Sequence, residues 1–440
     1  MPSDARHSAR SAVFTHLARQ VEAFPRLRLE DPPLDGLDAR DAALAVAISD
    51  TVVSRWLTLE YILARFVRGE FLGLEPRVRA GLLAGAAQIL FMDRIPAHAA
   101  IHETVELAKR LIRPGAGALV NAVLRRVADL AGEGEFRESW TDACDELARP
   151  DGRARVLREA ILPVDARARL EVVTSHAPGL LARLGLDEPG VRGVALHSLV
   201  VSPTLLSVVH AQDARAIDAD PRVSPHDEAT HRVFEGDRAS LAAWLGANPG
   251  TWVQDPGSSA AVAVLADLRP GRIMDLCAGQ GTKTRQLARV FPEAVIIATD
   301  VDARRRRTLR ASLSGEPRVR VVEPGEVEGV ADLILLDVPC SNTGVLARRR
   351  EAKYRLAETP SLVQTQREIV RRAVAFLARG GRIAYSTCSL LEEENAGNVR
   401  WAEATLGLRV IRTHARGPRG VPGDPPSRYA DGSYMALLGR

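Results

Sequence analysis

Lysine is almost absent from this 440-residue chain: Lys109, Lys283 and Lys353 are the only three, and every other cation is arginine. A high-GC genome accounts for such a bias. Guanidinium groups also suit phosphate, and a net charge of +4 mildly favours a polyanionic partner without naming one. Cysteine is scarce as well. Four residues (Cys144, Cys277, Cys340, Cys388) with no CxxC pair exclude a disulfide scaffold and a paired-cysteine zinc site. No metal is expected, and a reduced cytoplasmic protein is. Long apolar runs are missing: the longest nearly uncharged stretch, Ala80 to Met92, has 13 residues, where a bilayer span needs about 20. Met1 to His7 has no apolar core, so neither a secretory signal nor a membrane partner is expected. At 46% hydrophobic and 26% charged residues, the chain is not disordered.

What is present falls into three parts. Residues 1–145 read as a helical bundle: Ser8 to Phe24, Ala42 to Val67, Glu75 to Met92, His98 to Ile112 and Gly117 to Leu130 carry apolar residues at three- and four-residue spacing. Residues 146–250 read as a linker with a small, reduced subdomain. Short helices are expected at Arg153 to Ala160, Val164 to Val173 and Gly179 to Leu184, a strand pair in Ser198 to His210, and irregular chain over Asp213 to Asp237. Residues 251–440 alternate short apolar runs with helical patterns such as Gln364 to Leu377. The runs are Arg272 to Leu276, Ala294 to Thr299, Val319 to Val322, Leu333 to Leu336, Arg382 to Ser386, Leu408 to Arg412 and Tyr434 to Leu438. That alternation predicts a doubly wound α/β domain, whose ligands bind beyond the carboxyl ends of the strands.

Three of those strand ends carry chemistry. The first runs Asp275-Leu-Cys-Ala-Gly-Gln-Gly-Thr-Lys-Thr284, a strand entering glycines and then a helix. It lacks the third glycine of GxGxxG and the spacing of a phosphate-binding P-loop. The second ends at Asp300, about 20 residues on, where a carboxylate can accept from ribose hydroxyls or simply cap the following helix. The pair fits a nucleoside cofactor, either NAD or S-adenosylmethionine. The third comprises Asp337-Val-Pro-Cys-Ser341 and, one strand later, Thr387-Cys-Ser389. A lone cysteine is usually a small buried hydrophobe. Two cysteines, each followed by serine at a strand end on the ligand side, are a less accidental pattern.

The Asp-x-Pro-Cys-Ser and Thr-Cys-Ser motifs, with Asp-Leu-Cys-Ala before the glycine turn, resemble the Sun/Nop family of S-adenosylmethionine-dependent RNA cytosine-5 methyltransferases. The entry segment Val253-Gln-Asp-Pro-Gly-Ser-Ser259 is similar too. Arg77 to Lys109 and Val120 to Arg126 resemble the NusB-type RNA-binding helical domain. The resemblance implies an all-α NusB-like bundle followed by a Rossmann-like methyltransferase domain, S-adenosyl-L-methionine as cofactor, and an RNA substrate, with 16S ribosomal RNA the first candidate. A monomer is expected. It implies Cys388 as nucleophile and Cys340 as the thiol that helps release product. Asp337 would lie near the cytosine edge and the methyl donor, and Asp300 on the ribose. Cys277, Ala278, Gly279, Gln280, Gly281, Thr282 and Lys283 would form the turn around the methionine part.

The chemistry requires those residue types. Carbon 5 of cytosine is a poor nucleophile until a thiolate adds to carbon 6. A base must later remove the carbon 5 proton, and the target base must leave its stack. DNA cytosine methyltransferases place the nucleophile in the Pro-Cys motif, here Pro339-Cys340, so the reversed assignment stays open. Cys388 is favoured because its motif is complete and the similarity continues through Asn395.

The family usually reads Cys-Ala-Ala-Pro-Gly-Gly-Lys-Thr. Gln280 and Thr282 depart from that pattern; Thr282 is strained if it sits at positive φ, unless Gly279 shifts the turn to compensate. The third-strand acid is unclear, with only Glu323 available, and the middle region lacks the family's Leu-Arg-Val-Asn-like strand at Leu205 to Val209. These departures leave a second reading, a catalytically inactive rRNA-binding protein that keeps the fold, and a third, a methyltransferase acting on tRNA.

Overall fold

A computed structural model describes residues 8–440. Met1 to His7, read above as lacking a signal core, lie outside the described residues. Five helices open the chain: α1 (Ala9–Ala23), α2 (Ala39–Ala64), α3 (Pro76–Phe91), α4 (Ala97–Leu111) and α5 (Ala116–Ala131). They match the five periodic segments to within three residues. Among the described residues α2 is the one helix long and apolar enough, by length and composition, to cross a membrane. Half of its apolar window is buried here, and Ile48, Val52, Trp56, Leu59, Ile62 and Leu63 sit at the centre of the bundle.

The middle region is more structured than its sequence suggests. Strands β1 (Phe136–Arg137), β2 (Glu146–Ala148) and β3 (Ala154–Val156) form an antiparallel sheet in the order β1-β3-β2. The helix expected at Arg153 to Ala160 is therefore β3. Helices α6 (Ala166–Thr174) and α7 (Glu188–His197) follow. Next come β4 (Thr204–Ser207), α8 (Ala214–Ala219), β5 (Val223–Pro225), β6 (His231–Phe234), α9 (Arg238–Ala247) and β7 (Trp252–Val253). These four strands make a second antiparallel sheet, β5-β6-β4-β7. Ser198 to His210 thus holds one strand rather than a pair, and Asp213 to Asp237 is ordered as a helix and two strands. The place of the missing Leu-Arg-Val-Asn motif is still a strand, β4. Nor does packing break at residue 145: Leu147, Leu157, Leu162, Val173 and Leu199 belong to the core of the helical bundle.

The last part contains α10 (Pro256–Ala263), β8 (Arg272–Asp275), α11 (Thr282–Val290), β9 (Val295–Ala298), α12 (Ala303–Ser312), β10 (Val319–Val321) and β11 (Ala331–Asp337). It continues with α13 (Thr359–Ala373), β12 (Leu377–Thr387), α14 (Ala396–Leu406), β13 (Arg409–Arg416) and β14 (Ser433–Gly439). All seven apolar runs are strands of one sheet, ordered β10-β9-β8-β11-β12-β14-β13. Strands β8 to β12 run parallel, and β14 inserts antiparallel between β12 and β13. The sheet is doubly wound but not wholly parallel, because β14 closes it as an antiparallel ladder. Register aligns the functional ends: Asp275 lies opposite Ala298 on one side and Leu335 on the other, and Asp337 opposite Ser386. The chain reverses direction across the sheet between β8 and β11, which opens a crevice beyond their carboxyl ends.

Candidate active site

That crevice collects the carboxylates and thiols singled out in the sequence. Cys277, Gly279, Asp300, Asp337, Cys340 and Cys388 line one cleft of about 850 Å3. Ala278, Gln280, Thr282 and Lys283 line an adjoining pocket of about 330 Å3, which shares Cys277, Gly279 and Asp337 with the cleft. Gly281 lines neither. It packs against α12, where a Cβ would stand 2.7 Å from Leu309 Cδ1.

The glycine turn is built differently from the family pattern. Gly279 and Gly281 take φ of +57° and +97°, and Thr282 opens α11 in ordinary helical conformation. The strain expected at Thr282 is absent because the left-handed positions fall on the two glycines. No side chain caps the first turn of α11, which leaves its N–H groups available to an acceptor on a ligand.

Asp300 is fixed by two backbone donors, Gly279 N–H on Oδ2 at 2.9 Å and Asp302 N–H on Oδ1 at 2.8 Å. The cap of the following helix is Asp302, which accepts from Arg304 and Arg305. The capping reading of Asp300 therefore passes to its neighbour, and the Asp300 carboxylate remains on the cleft wall. Glu323 forms ion pairs with Arg306 and Arg310 and does not line the cleft.

Asp275, quoted only as the start of the turn, is a site residue the sequence reading missed. It is fully buried, accepts from Thr284 Oγ1 at 2.7 Å through Oδ2, and leaves Oδ1 without a partner. Burial, more than the nearby Asp337, raises its pKa to about 7. An unpartnered buried acceptor, an uncapped helix start and a carboxylate at the next strand end fit an amino-acid-bearing nucleoside. S-adenosylmethionine matches that donor and acceptor set. NAD, without an ammonium to meet Asp275, does not use it.

Lys283 Nζ donates to Asp337 Oδ2 at 2.8 Å. Burial alone would lower the Lys283 pKa, but Asp337 and, more weakly, Cys388 and Asp275 raise it, so the ammonium stays charged. The two thiols face each other with Cys340 Sγ and Cys388 Sγ 3.3 Å apart, and Cys388 Sγ lies 3.2 Å from Asn342 Oδ1. Asn342 takes φ +60° to present that oxygen. Cys340 is held well above the usual thiol range, first by its hydrogen bond to Cys388 and then by burial. Cys277 is likewise pushed up by burial and by Asp275, Asp337 and Asp300, which keeps it a protonated wall residue.

A family profile described as 16S rRNA methyltransferase RsmB/F matches residues 262–406, and the NusB family profile matches residues 3–129. A ribosomal RNA small subunit methyltransferase B from Erwinia tasmaniensis is 30% identical over 421 residues, covering 91% of this chain and 90% of that protein. The protein of that name from Escherichia coli is 28% identical over 450 residues, covering 98% of each. Among solved structures, one titled PH0851 superposes with a TM-score of 0.70 over 98% of both chains at 20% identity, a likeness of fold. With a relative at that identity along nearly its whole length, and with thiols, acids and glycine turn gathered in one crevice, the chain belongs to the RsmB/F family of S-adenosylmethionine-dependent RNA methyltransferases, preceded by a NusB-type domain.

Proposed function

We propose that this enzyme methylates carbon 5 of a cytosine in 16S ribosomal RNA through a covalent bond between Cys388 and the base. The observation that carries the reading is the 3.3 Å pair of thiols beside Asp337 in the cleft that also holds Asp300. Asp275, Asp300 and the turn from Cys277 to Lys283 would hold S-adenosylmethionine, which supplies an electrophilic sulfonium methyl when bound.

Cys388 acts first. Its thiolate adds to carbon 6, and the electrons of the 5,6 double bond make carbon 5 nucleophilic. Lys283 keeps its positive charge near that thiol. Asp337, held by Lys283, faces the amino edge of the base. Once carbon 5 is methylated it still carries its proton. Cys340, protonated in the resting pair, first loses its own proton to solvent; its thiolate then takes the carbon 5 proton, the carbon 5–hydrogen electrons restore the 5,6 double bond, the carbon 6–sulfur bond breaks, and Cys388 leaves as the thiolate.

The inactive-scaffold reading rested on Gln280 and Thr282, and it loses its physical motive because Thr282 is unstrained and Gln280 is exposed. The two thiols have separable signatures. Cys340→Ser is expected to trap a protein–RNA adduct that survives a denaturing gel. Cys388→Ser is expected to form none, and the double variant to behave like Cys388→Ser. An adduct with Cys388→Ser alone reverses the assignment. Bisulfite sequencing of 16S and transfer RNA from a deletion strain identifies the substrate: loss of a methylated cytosine in tRNA only would overturn the ribosomal target.

A further inference from the structure

One buried carboxylate ties both thiol-bearing loops together. Glu394 is fully buried, and among the described residues it has no cationic partner. Its Oε1 accepts from the Ser341 backbone N–H at 2.9 Å and from Gln366 Nε2 at 2.8 Å. Its Oε2 accepts from the hydroxyls of Ser341 and Ser389. Ser341 follows Cys340 directly and Ser389 follows Cys388, so a single side chain grips the residue next to each thiol. The loops leave adjacent parallel strands whose mutual ladder ends at Asp337 and Ser386; beyond it two backbone bonds, Val338 N–H to Ser386 O at 3.1 Å and Gly344 N–H to Cys388 O at 2.8 Å, join them, and neither touches a thiol-bearing side chain. Asn395 continues the grip: its Oδ1 accepts from Thr387 Oγ1 at 2.6 Å and its Nδ2 donates to Ser389 O at 2.8 Å. A buried charge satisfied only by neutral donors is a costly way to hold a fold. A neutral amide of the same shape would keep most of these bonds, since the two hydroxyls can turn to accept.

We propose that Glu394 is a positioning residue for the reaction, one that sets the spacing and proton balance of the Cys340–Cys388 pair. The proposal rests on the covalent reading above. The Glu394 charge also contributes to the elevated pKa of Cys340, after Cys388 and burial. Removing that charge should let the Cys340 thiolate form at lower pH. Loosening the grip should separate the sulfurs and slow release of the adduct.

The test compares Glu394→Gln, Glu394→Asp, Cys340→Ser and the parent enzyme on a 16S rRNA fragment, with trapped adduct and its decay followed across pH. Glu394→Gln is expected to bind cofactor as the parent does. Because it keeps the grip and loses the charge, its alkaline limb should move to lower pH while adduct release on the plateau stays close to the parent's. Glu394→Asp keeps the charge but draws it back by one methylene, so its adduct should decay roughly 10- to 100-fold more slowly, the range that small misplacements of reacting groups produce, with the pH limb unmoved. A parent-like pH limb in Glu394→Gln or parent-like decay in Glu394→Asp would overturn the proposal. If either variant fails to fold, Ser341→Ala and Ser389→Ala decide: the first should slow adduct release and the second adduct formation, and equal effects on both steps refute the role. Cys340→Ser is the control. Adduct there with none in Glu394→Asp removes only the Glu394 role, whereas no adduct in Cys340→Ser removes the covalent reading and this proposal with it.

Discussion

Asp275 shows how a residue can be quoted in a motif and still be missed. Its position as the last residue of β8 was visible, but its burial and its unpartnered Oδ1 were not. Raised to about 7 by burial, it titrates near neutrality before a ligand binds. A ligand ammonium placed against it favours the carboxylate, so cofactor binding should release a proton and affinity should rise as pH passes upward through about 7. The sign for stability is opposite. The unfolded group ionises near pH 4 and the folded group near 7, so the folded state binds more protons in that window. On this account the free enzyme loses stability as pH rises from about 4 to 7. Calorimetry of S-adenosylhomocysteine binding at several pH values, in buffers of different ionisation enthalpy, measures the proton release directly. Asp275→Asn should abolish both the pH dependence and most of the affinity; a variant that binds with unchanged pH dependence refutes the assignment. Glu394 was hidden for a different reason: it closes the triplet Glu392-Glu393-Glu394, which reads as a solvated face, and only the tertiary packing buries the third carboxylate. Cys340 and Cys388 were legible because their chemistry lies in the neighbouring residues, Pro and Ser, rather than in burial.

Elements long enough to show a period were legible, and short ones were not. The helices of the first part run 15 to 26 residues, several turns each. The central strands of the last sheet, β8, β9 and β11, are apolar on both faces because helices cover them. The middle strands have two to four residues, too few for alternation to appear, and their partners lie far along the chain: β4 pairs with β7 some 45 residues later. The glycine turn was found at the right place with its internal geometry left open between a strained Thr282 and a turn shifted onto Gly279, since spacing alone does not say which residues take positive φ; the structure takes the second form. That geometry predicts opposite outcomes for two substitutions. Gly281→Ala places a Cβ at φ +97° and 2.7 Å from Leu309 Cδ1, so it should cost about 1–3 kcal/mol of stability and weaken cofactor binding. Thr282→Gly, which restores the usual family residue, should not improve cofactor binding and should cost up to about 1 kcal/mol at the helix start. Thermal unfolding with and without S-adenosylhomocysteine checks both, and tighter binding in Thr282→Gly would return the strain to Thr282.

At the scale of the whole molecule, the helical part and the catalytic part are less separable than their sequences. Eight residues beyond Cys340, the chain Arg348 to Glu358 leaves the site and enters the helical bundle. Tyr354 is buried in the bundle core, packs with its ring tilted against Phe24 at 5.6 Å, and donates through its hydroxyl to Val53 O at 2.7 Å. Lys353 is fully buried, and its Nζ donates to Thr174 O at 3.0 Å and Ser54 O at 3.2 Å, with Arg355 Nη2 on Leu27 O at 2.6 Å. Ion pairs Arg350–Asp50 and Arg26–Glu358 flank the contact. A bundle that merely carried RNA would be removable with cofactor binding intact, as the sequence organisation suggests. The packing predicts otherwise. Deleting residues 1–140 would strip the cover from Tyr354 and Lys353, and the strap that continues from the Cys340 loop would lose its anchor. The truncated chain should therefore melt earlier and lose cofactor affinity along with RNA affinity. A gentler variant separates the two causes. Tyr354→Phe leaves Val53 O without its donor and should lower stability by about 1–3 kcal/mol. Lys353 adds a pH signature: burial, aided by Arg55 and Arg350, holds its pKa well below the usual 10.5. The unfolded lysine therefore keeps its proton to higher pH than the folded one. Through the window below 10.5 the unfolded state binds more protons, so stability should climb with pH on this account. Lys353→Met should flatten that climb and leave the protein at least as stable near neutral pH, because it removes a buried amine that, among the described residues, meets only backbone carbonyls and no carboxylate. Denaturant unfolding of both chains from pH 7 to 10 measures the difference in slope. Parallel pH profiles would mean that the lysine is solvated in solution and the strap is not docked as described.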